Sequence, residues 1–218
     1  MKLEVLNTSV VVLAQHHNPT ILHPSFLTSQ NIISNDWELA ELPVSTPVFA
    51  MVKYKNGIVF NVEESKFQVI DNKIPDDIKN SMVAGLAFKY IEKLPHVCYT
   101  AVGINFNGFI SCSNPEAILM DMFLTPGSGD YDGCQPDAFG LRLIYNLPDS
   151  RLRLQCDIGK VKHGNQKSER KGLLVDANYH MNLKENHTLE DISRATSFHS
   201  KYGTHFTKMI KSVFNLED

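Results

Sequence analysis

The sequence predicts an α+β protein with one broad antiparallel β-sheet and two long helices packed on one face of that sheet. Residues 1–93 and residues 94–218 present the same order of elements: a long strand, a connector, a meander of strands and a closing amphipathic helix. The connectors also share a pair of anchors, Asn18-Pro19 with Ile21-Leu22 and Asn114-Pro115 with Ile118-Leu119. We therefore expect a single domain over residues 1–218, built from two pseudo-repeated units, with chance similarity as the alternative explanation.

The first unit begins with a strand at residues 3–14, which are rich in β-branched side chains. An irregular connector over residues 16–47 follows, with a short helix expected within residues 25–32. Strands at residues 48–54 and 58–62 flank Asn56-Gly57, a hairpin signal in which we expect positive φ at both turn residues. A third strand is expected at residues 67–70.

A helix should close the first unit. Pro75 is suited to a first helical position, and Asp76 and Asp77 favour the positive end of the helix dipole. The apolar positions then recur at helical spacing until Leu94-Pro95 ends the helix.

The second unit repeats this order. We expect a strand at residues 97–110, a short helix from Asn114-Pro115 to about residue 124, and a turn-rich loop over residues 125–137. Strands are expected at residues 139–147, 151–161 and 173–183, with a polar loop at residues 162–171 between the last two.

The last helix starts at Thr188, where Asp191 forms a variant of the capping box. Its apolar seam repeats at alternating spacings of three and four residues: Ile192, Ala195, His199, Tyr202, Phe206, Met209 and Val213. Such a seam is compatible with a coiled coil, but helix-on-sheet packing is the simpler interpretation.

Composition excludes few functions. The formal net charge is −3 and 43% of the residues are hydrophobic, so no overall charge excess indicates nucleic acid or membrane. The four cysteines form no CxxC pair; they could form two disulfides, but Cys98 and Cys156 lie in strand-like runs where thiols usually pack. An acid at Glu4 and a short apolar run at residues 10–14 do not fit a secretion signal or a membrane span. We therefore expect a cytoplasmic protein with no membrane partner.

Charge is segregated along the chain. No Lys or Arg occurs in the 48 residues between Lys93 and Arg142, where five acids lie. The next segment is strongly basic, and Leu152 and Leu154 alternate with two of its cations on one predicted strand. The basic residues are Arg151, Arg153, Lys160, Lys162, Lys167, Arg170 and Lys171. We interpret them as a basic sheet edge that binds an acidic protein partner or the acidic loop of a second copy; a solvated, functionless face is the alternative.

The same edge would suit a phosphate backbone, so nucleic-acid binding is a second hypothesis. The basic stretch contains no aromatic side chain that could stack on bases, which argues against single-strand binding.

A third hypothesis is a metal-dependent hydrolase that uses His16, His17 and His23 together with loop acids. Residues 128–133 also resemble the first half of a calcium loop, but Phe139 stands where its bidentate Glu belongs. The pair Glu169 and Lys171 after Asp149 matches a nuclease pattern only in spacing, because it lies in the expected polar loop. We expect no cofactor and no metal.

Two resemblances add context. The run Leu173-Leu174-Val175-Asp176, followed by a helix with Phe198-His199 and His205-Phe206, resembles a sporadically distributed group of bacterial proteins and implies no activity. The order of strand, connector, meander and helix is similar to SecB-type export chaperones and to TATA-binding-protein-like duplications, which implies a fold and no binding residues. The sequence favours a non-enzymatic protein-binding or adaptor protein within a homo-oligomer or larger complex.

Overall fold

In the computed structural model, which describes residues 1–75, 77–162 and 169–216, both halves of the chain contribute strands to one antiparallel sheet. Its nine strands lie in the order β2-β3-β4-β5-β1-β6-β9-β8-β7. Their bounds are β1 Leu3–Gln15, β2 Val44–Ser45, β3 Phe49–Lys53, β4 Ile58–Glu63, β5 Lys66–Asp71, β6 Cys98–Ser111, β7 Leu141–Asn146, β8 Arg151–Lys162 and β9 Glu169–Asn182.

The described part of the chain also forms helices on one side of this sheet: α1 Pro24–Ser29, α2 Val83–Glu92, α3 Pro115–Phe123 and α4 Leu189–Val213. Short 3-10 helices occur at Pro19–Ile21 and Ile78–Asn80. The long helices α2 and α4 pack on each other and on the central strands. The predicted α+β class, the broad antiparallel sheet and the placement of two long helices on one face are confirmed.

The pseudo-repeat is visible in the strand order. Each half places its first strand beside the last strand of its own meander, so β1 pairs with β5 and β6 pairs with β9. The two first strands, β1 and β6, then pair with each other at the centre of the sheet. Because that central pair is antiparallel, the halves are related by an approximate two-fold axis through the sheet.

The two Asn-Pro anchors also have equivalent roles. The Asn18 side chain accepts a hydrogen bond from the backbone N–H of Thr20, and the Asn114 side chain accepts one from the N–H of Ala117. In both cases proline follows at the first helical position, where its missing N–H costs nothing. The leucine of each anchor is fully buried in the core.

The helix-facing side of the sheet forms the core. Alternate residues of β1, such as Val10 and Val12, are fully buried there, as the two-residue period of a strand requires. Helix α4 packs on the sheet of its own chain and buries the predicted seam from Ile192 to Phe206. Beyond Phe206 the seam is wrong, because Met209 and Val213 are only partly buried and Ile210 is fully buried instead. Thr188 and Asp191 form the expected capping box.

Three other local predictions were wrong. The helix expected from Pro75 begins only at Val83, because Ser81 is extended and donates to the Asp71 carboxylate over 2.7 Å. Asp77 caps the 3-10 helix Ile78–Asn80, which comes before α2, and Asp76 lies outside the described residues. The hairpin at Asn56-Gly57 has positive φ only at Gly57. Tyr54 accepts from the Gly57 N–H and donates to Ile58, which makes a three-residue loop.

The third correction concerns the polar loop expected at residues 162–171. Residues 169–171 belong to β9, paired in register with β8 up to Lys162 and Glu169. Strand pairing therefore extends further along this hairpin than its hydrophilic sequence indicates, because cross-strand ion pairs can hold polar strands together.

Candidate functional site

The face of the sheet opposite α2 and α4, here called the open face, carries a shallow depression of about 480 Å³ across its central strands. Its lining is rich in amide side chains. The residues that line it are Asn7, Ser9, Val11, Lys66, Gln68, Ile70, Asn72, Asn105, Asn107, Arg153, Gln155, Asp176, Ala177 and Asn178.

A row of hydrogen bonds crosses the middle of the open face. Gln68 and Asn105 both donate to the Ser9 hydroxyl, over 3.1 and 3.2 Å. Asn178 in turn donates its amide to the Asn105 side-chain oxygen over 2.6 Å. These groups satisfy one another across four strands, which fixes their rotamers and keeps a polar surface rigid.

A second row lies next to it, toward β7. Asn107 donates to Asp176, and Gln155 donates to Asp157 over 2.8 Å. Arg142 on β7 reaches the Gln155 side-chain oxygen at 3.5 Å. The open face therefore changes from amides at its centre to mixed amides, acids and arginines near β7.

Arg151 and Arg153 are on the open face, as the alternation with Leu152 and Leu154 predicts. Both arginines are exposed, while both leucines are fully buried on the helix side. Within the described ranges, neither arginine forms an ion pair.

The other predicted basic residues do not join this surface. Lys160 and Lys162 have the opposite strand parity to Arg151 and Arg153, and both lie within 3.7 Å of Glu169. Lys171 reaches Glu116 of α3 at 2.7 Å, and its ammonium lowers the pKa of that carboxyl. The structure therefore divides the predicted basic edge between two faces.

Arg170 is on the open face but has a structural partner there. Its guanidinium lies 2.8 Å from the Glu4 carboxylate and 5.4 Å from the centre of the Phe109 ring. Phe109 is fully buried, so Arg170 covers it on the open side of the sheet. Lys167 lies outside the described residues. The role of the seven cations in partner binding stays a prediction.

One arginine was missed by sequence reasoning. Arg142 lies opposite Gln155 in the pairing of β7 with β8. The same register places Ile144 opposite Arg153 and Asn146 opposite Arg151. We call Arg142, Arg151 and Arg153 the arginine patch. The signal was present in the sequence, since the tight turn at residues 147–150 fixes the strand register and hence the face of Arg142.

The sheet edge is not at the strand of Arg151 and Arg153, where the sequence predicted it. Strand β8 is an interior strand, because β7 lies outside it in the sheet. The arginine patch is therefore near the edge, on the face of the last two strands, and the backbone edge itself belongs to β7.

The three connector histidines do not converge. His16 lies 3.4 Å from Glu64, His17 is buried with its ring 3.3 Å from the Val12 carbonyl, and His23 caps α1. Burial lowers the pKa of His17. Across the described ranges, no cluster of three or more His, Cys, Asp or Glu side chains could hold a metal ion.

His199 is a buried core residue, as its position in the α4 seam predicts. Its Nε2 lies 2.8 Å from the Thr8 hydroxyl, which itself donates to the Asn105 carbonyl over 2.9 Å. Because the one hydroxyl hydrogen goes to that carbonyl, the His199 Nε2 is the donor in this pair. Burial lowers its pKa to about 4.

The loop at residues 128–133 is a series of tight turns. Gly129, Asp132 and Gly133 have positive φ, and Tyr131 pairs with Cys134 through backbone hydrogen bonds. All four cysteines are free thiols, with Cys156 buried as expected and Cys98 exposed at the start of β6, where the sequence predicted packing.

Comparison with known proteins gives no family for this chain: no family model matches it, and no curated protein matches it. None of the helices within the described ranges is long and apolar enough to span a membrane.

Proposed function

We propose that this chain is a non-enzymatic protein-binding protein, an adaptor within a homo-oligomer or larger complex, and that its arginine patch docks an acidic surface of a protein partner. The four free thiols support a reducing, cytoplasmic location for that complex.

One observation carries this proposal. In the basic segment, Lys160, Lys162 and Lys171 each lie beside a glutamate, whereas Arg151 and Arg153 are exposed and have no ion pair with any other described residue. An arginine without an internal partner presents five N–H donors in a fork that matches carboxylate geometry.

The spacing of the patch favours an extended acidic target. Arg151 and Arg153 are two residues apart on one strand, so their Cα atoms are about 6.7 Å apart. Arg142 lies on the neighbouring strand, opposite Gln155. Carboxylates on alternate residues of an extended segment, or one turn apart on a helix, would meet this arrangement.

A protein surface fits better than a nucleic acid. Asp157 and Asp176 lie on the same open face, beside Gln155, and they would repel a phosphate backbone that follows the strands. Among described open-face positions of β7 and β8, no aromatic side chain is available to stack on a base.

The test measures binding of poly-L-glutamate and of a DNA duplex to the full chain. We expect the Arg151→Glu/Arg153→Glu variant to bind poly-L-glutamate at least about tenfold more weakly, because the fork donors are replaced by repelling charge. The matched control is Lys160→Glu/Lys162→Glu, which changes net charge equally on the other face and should bind nearly as the parent does.

Equal losses in both variants would show that only net charge matters and would overturn the proposal. Tighter binding of the DNA duplex, with an affinity that falls steeply with salt, would favour the nucleic-acid hypothesis instead.

A further inference from the structure

The two outer edges of the sheet differ in how they are protected. At one edge, β2 has only two residues and lies between Pro43 and Pro47. Short strands and prolines are the usual means of preventing edge-to-edge pairing. At the other edge, β7 has six residues, contains no proline or lysine, and pairs with β8 in an unbroken register.

The backbone of β7 offers a regular set of outward groups. The Leu147 N–H donates to the Ser150 carbonyl over 2.8 Å at the hairpin turn, so Leu147 points its backbone toward β8. Because the direction alternates along an antiparallel strand, the N–H and C=O groups of Arg142, Ile144 and Asn146 point away from β8. None of these three residues has a backbone hydrogen bond to another part of the described chain.

Apolar side chains accompany these groups. Ile144 is 51% exposed on the open face, and Tyr145 is 36% exposed on the helix side. Leu143 is only partly buried. A strand of this kind is a template for a further strand.

We infer that β7 pairs with β7 of a second copy of this chain, antiparallel and around a two-fold axis at Ile144, so that the two sheets become continuous. In this register Ile144 faces Ile144 on the open face, and Leu143 faces Tyr145 on the helix side. Arg142 then faces Asn146, so no two like charges lie directly opposite each other.

The register follows from the strand itself. Residues that face each other must lie on the same face of the sheet, so the axis must pass through a residue and cannot fall between two. Centring on Ile144 pairs all three outward residues of each copy within β7. Centring on Leu143 instead places Asn146 opposite Gly140, outside the strand, and Arg142 opposite Ile144.

This self-complementarity is the argument for a second copy over an unrelated extended segment. A two-fold axis uses the same patch on both subunits, and β7 matches its own inverse in both apolar and polar positions. The two arginine patches would adjoin across the axis, so their repulsion opposes pairing at low salt and is screened at high salt. The inference uses the backbone edge of β7, which shares only Arg142 with the arginine patch, and it does not depend on the proposed function.

Sedimentation equilibrium of the full chain at low and high salt provides the first test. We expect a dimer that becomes tighter as salt rises, whereas binding of an acidic partner to the arginine patch weakens with salt. Ile144→Lys should weaken dimerisation at least about tenfold, because it places two ammonium groups on the axis. Val48→Lys makes a matched change at an exposed residue near the protected edge and should dimerise as the parent does.

Residue-resolved amide hydrogen exchange of the unmodified chain provides a second test that needs no variant. The amides of Arg142, Ile144 and Asn146 should become protected as concentration rises. Those of Leu143 and Tyr145, which point toward β8, should not change.

A chain that stays monomeric at all concentrations and salts, or a dimer that Ile144→Lys leaves intact, would overturn the inference. Protection of the β7 amides only on addition of a different protein would also overturn it, in favour of an extended segment of that protein. The Arg151→Glu/Arg153→Glu variant should still dimerise, so the two proposals can fail separately.

Discussion

In the first half of the molecule, Tyr90 of α2 stacks on Phe67 of β5 with ring centres 3.9 Å apart; in the second half, Tyr202 of α4 stacks on Tyr179 of β9 at 4.3 Å. When Tyr90 is aligned with Tyr202, four of the five buried positions of α2 coincide with buried positions of α4. They are Val83, Ala87, Tyr90 and Ile91 in α2, and Ala195, His199, Tyr202 and Gly203 in α4. The fifth, Leu86, aligns with the half-buried Phe198.

The halves differ on the other side of the sheet and at its edges. The outer strand of the first half is the short, proline-flanked β2. The outer strand of the second half is β7, with its outward backbone groups and the arginine patch beside it. The covered face must satisfy close packing, which keeps the two halves similar. The open face and the edges are not covered by α2 and α4, so this packing requirement does not keep them similar, and the features that suit binding occur there.

The largest expected effects test the shared stacking. Tyr90→Ala and Tyr202→Ala should each lower the free energy of unfolding by about 3–5 kcal/mol, since each removes a buried aromatic ring and leaves a cavity. Urea denaturation provides the measurement. Tyr131→Ala is the control, because Tyr131 is exposed. If only one of the two core variants were destabilised, the halves would not be equivalent.

A smaller expected effect is a pH dependence of folding stability that only the second half contributes, because α4 has His199 where α2 has Ala87. Burial lowers the pKa of His199 to about 4, so between about pH 6.5 and pH 4 the unfolded chain binds a proton that the folded chain does not. Folding stability should therefore fall as pH falls through that range, by about 3 kcal/mol from this residue.

Urea denaturation at several pH values measures this loss. His199→Gln should be less stable near pH 7 but should lose less of its stability toward pH 4. The remaining dependence would include His17, whose pKa burial also lowers. A His199→Gln variant with the parent's full pH dependence would contradict the prediction.

The smallest effects compare the glycines of the two long helices. A Cβ at Gly85 in α2 would meet no atom within 4 Å, so Gly85→Ala should stabilise the chain by about 0.5–1 kcal/mol through helix propensity. A Cβ at Gly203 in α4 would lie 3.0 Å from the Ile78 side chain. Gly203→Ala should therefore be less favourable than Gly85→Ala by about 1–2 kcal/mol. Equal thermal denaturation midpoints for the two variants would contradict this difference.

Much of the fold could be predicted because its signals are local. The period of the α4 seam, the Asn-Pro anchors and the alternation of Arg151 and Arg153 with leucines each depend on a few neighbouring residues. The start of α2 could not be predicted, because the Ser81–Asp71 hydrogen bond that interrupts the helix pattern joins residues brought together by folding.

The candidate site was predicted only in part. Arg151 and Arg153 lie on one exposed strand face opposite Leu152 and Leu154, as predicted, although their strand is not the sheet edge. Lys160, Lys162 and Lys171 were grouped with them because they are neighbours in sequence. Strand parity sends these lysines to the opposite face, beside glutamates of β9 and α3. Arg142 was missed because its charge lies outside the basic stretch.

The sequence by itself determined the class of the fold, the order of elements in the two units and the faces of individual strands. These follow from the periods of apolar residues in helices and strands, which can be read from consecutive residues. Only the tertiary structure decided which strand lies at the edge, which cations meet glutamates from distant segments, and which arginines form no ion pair with another described residue. Those outcomes depend on strand order and on contacts between residues far apart in the chain, and no local pattern encodes either one.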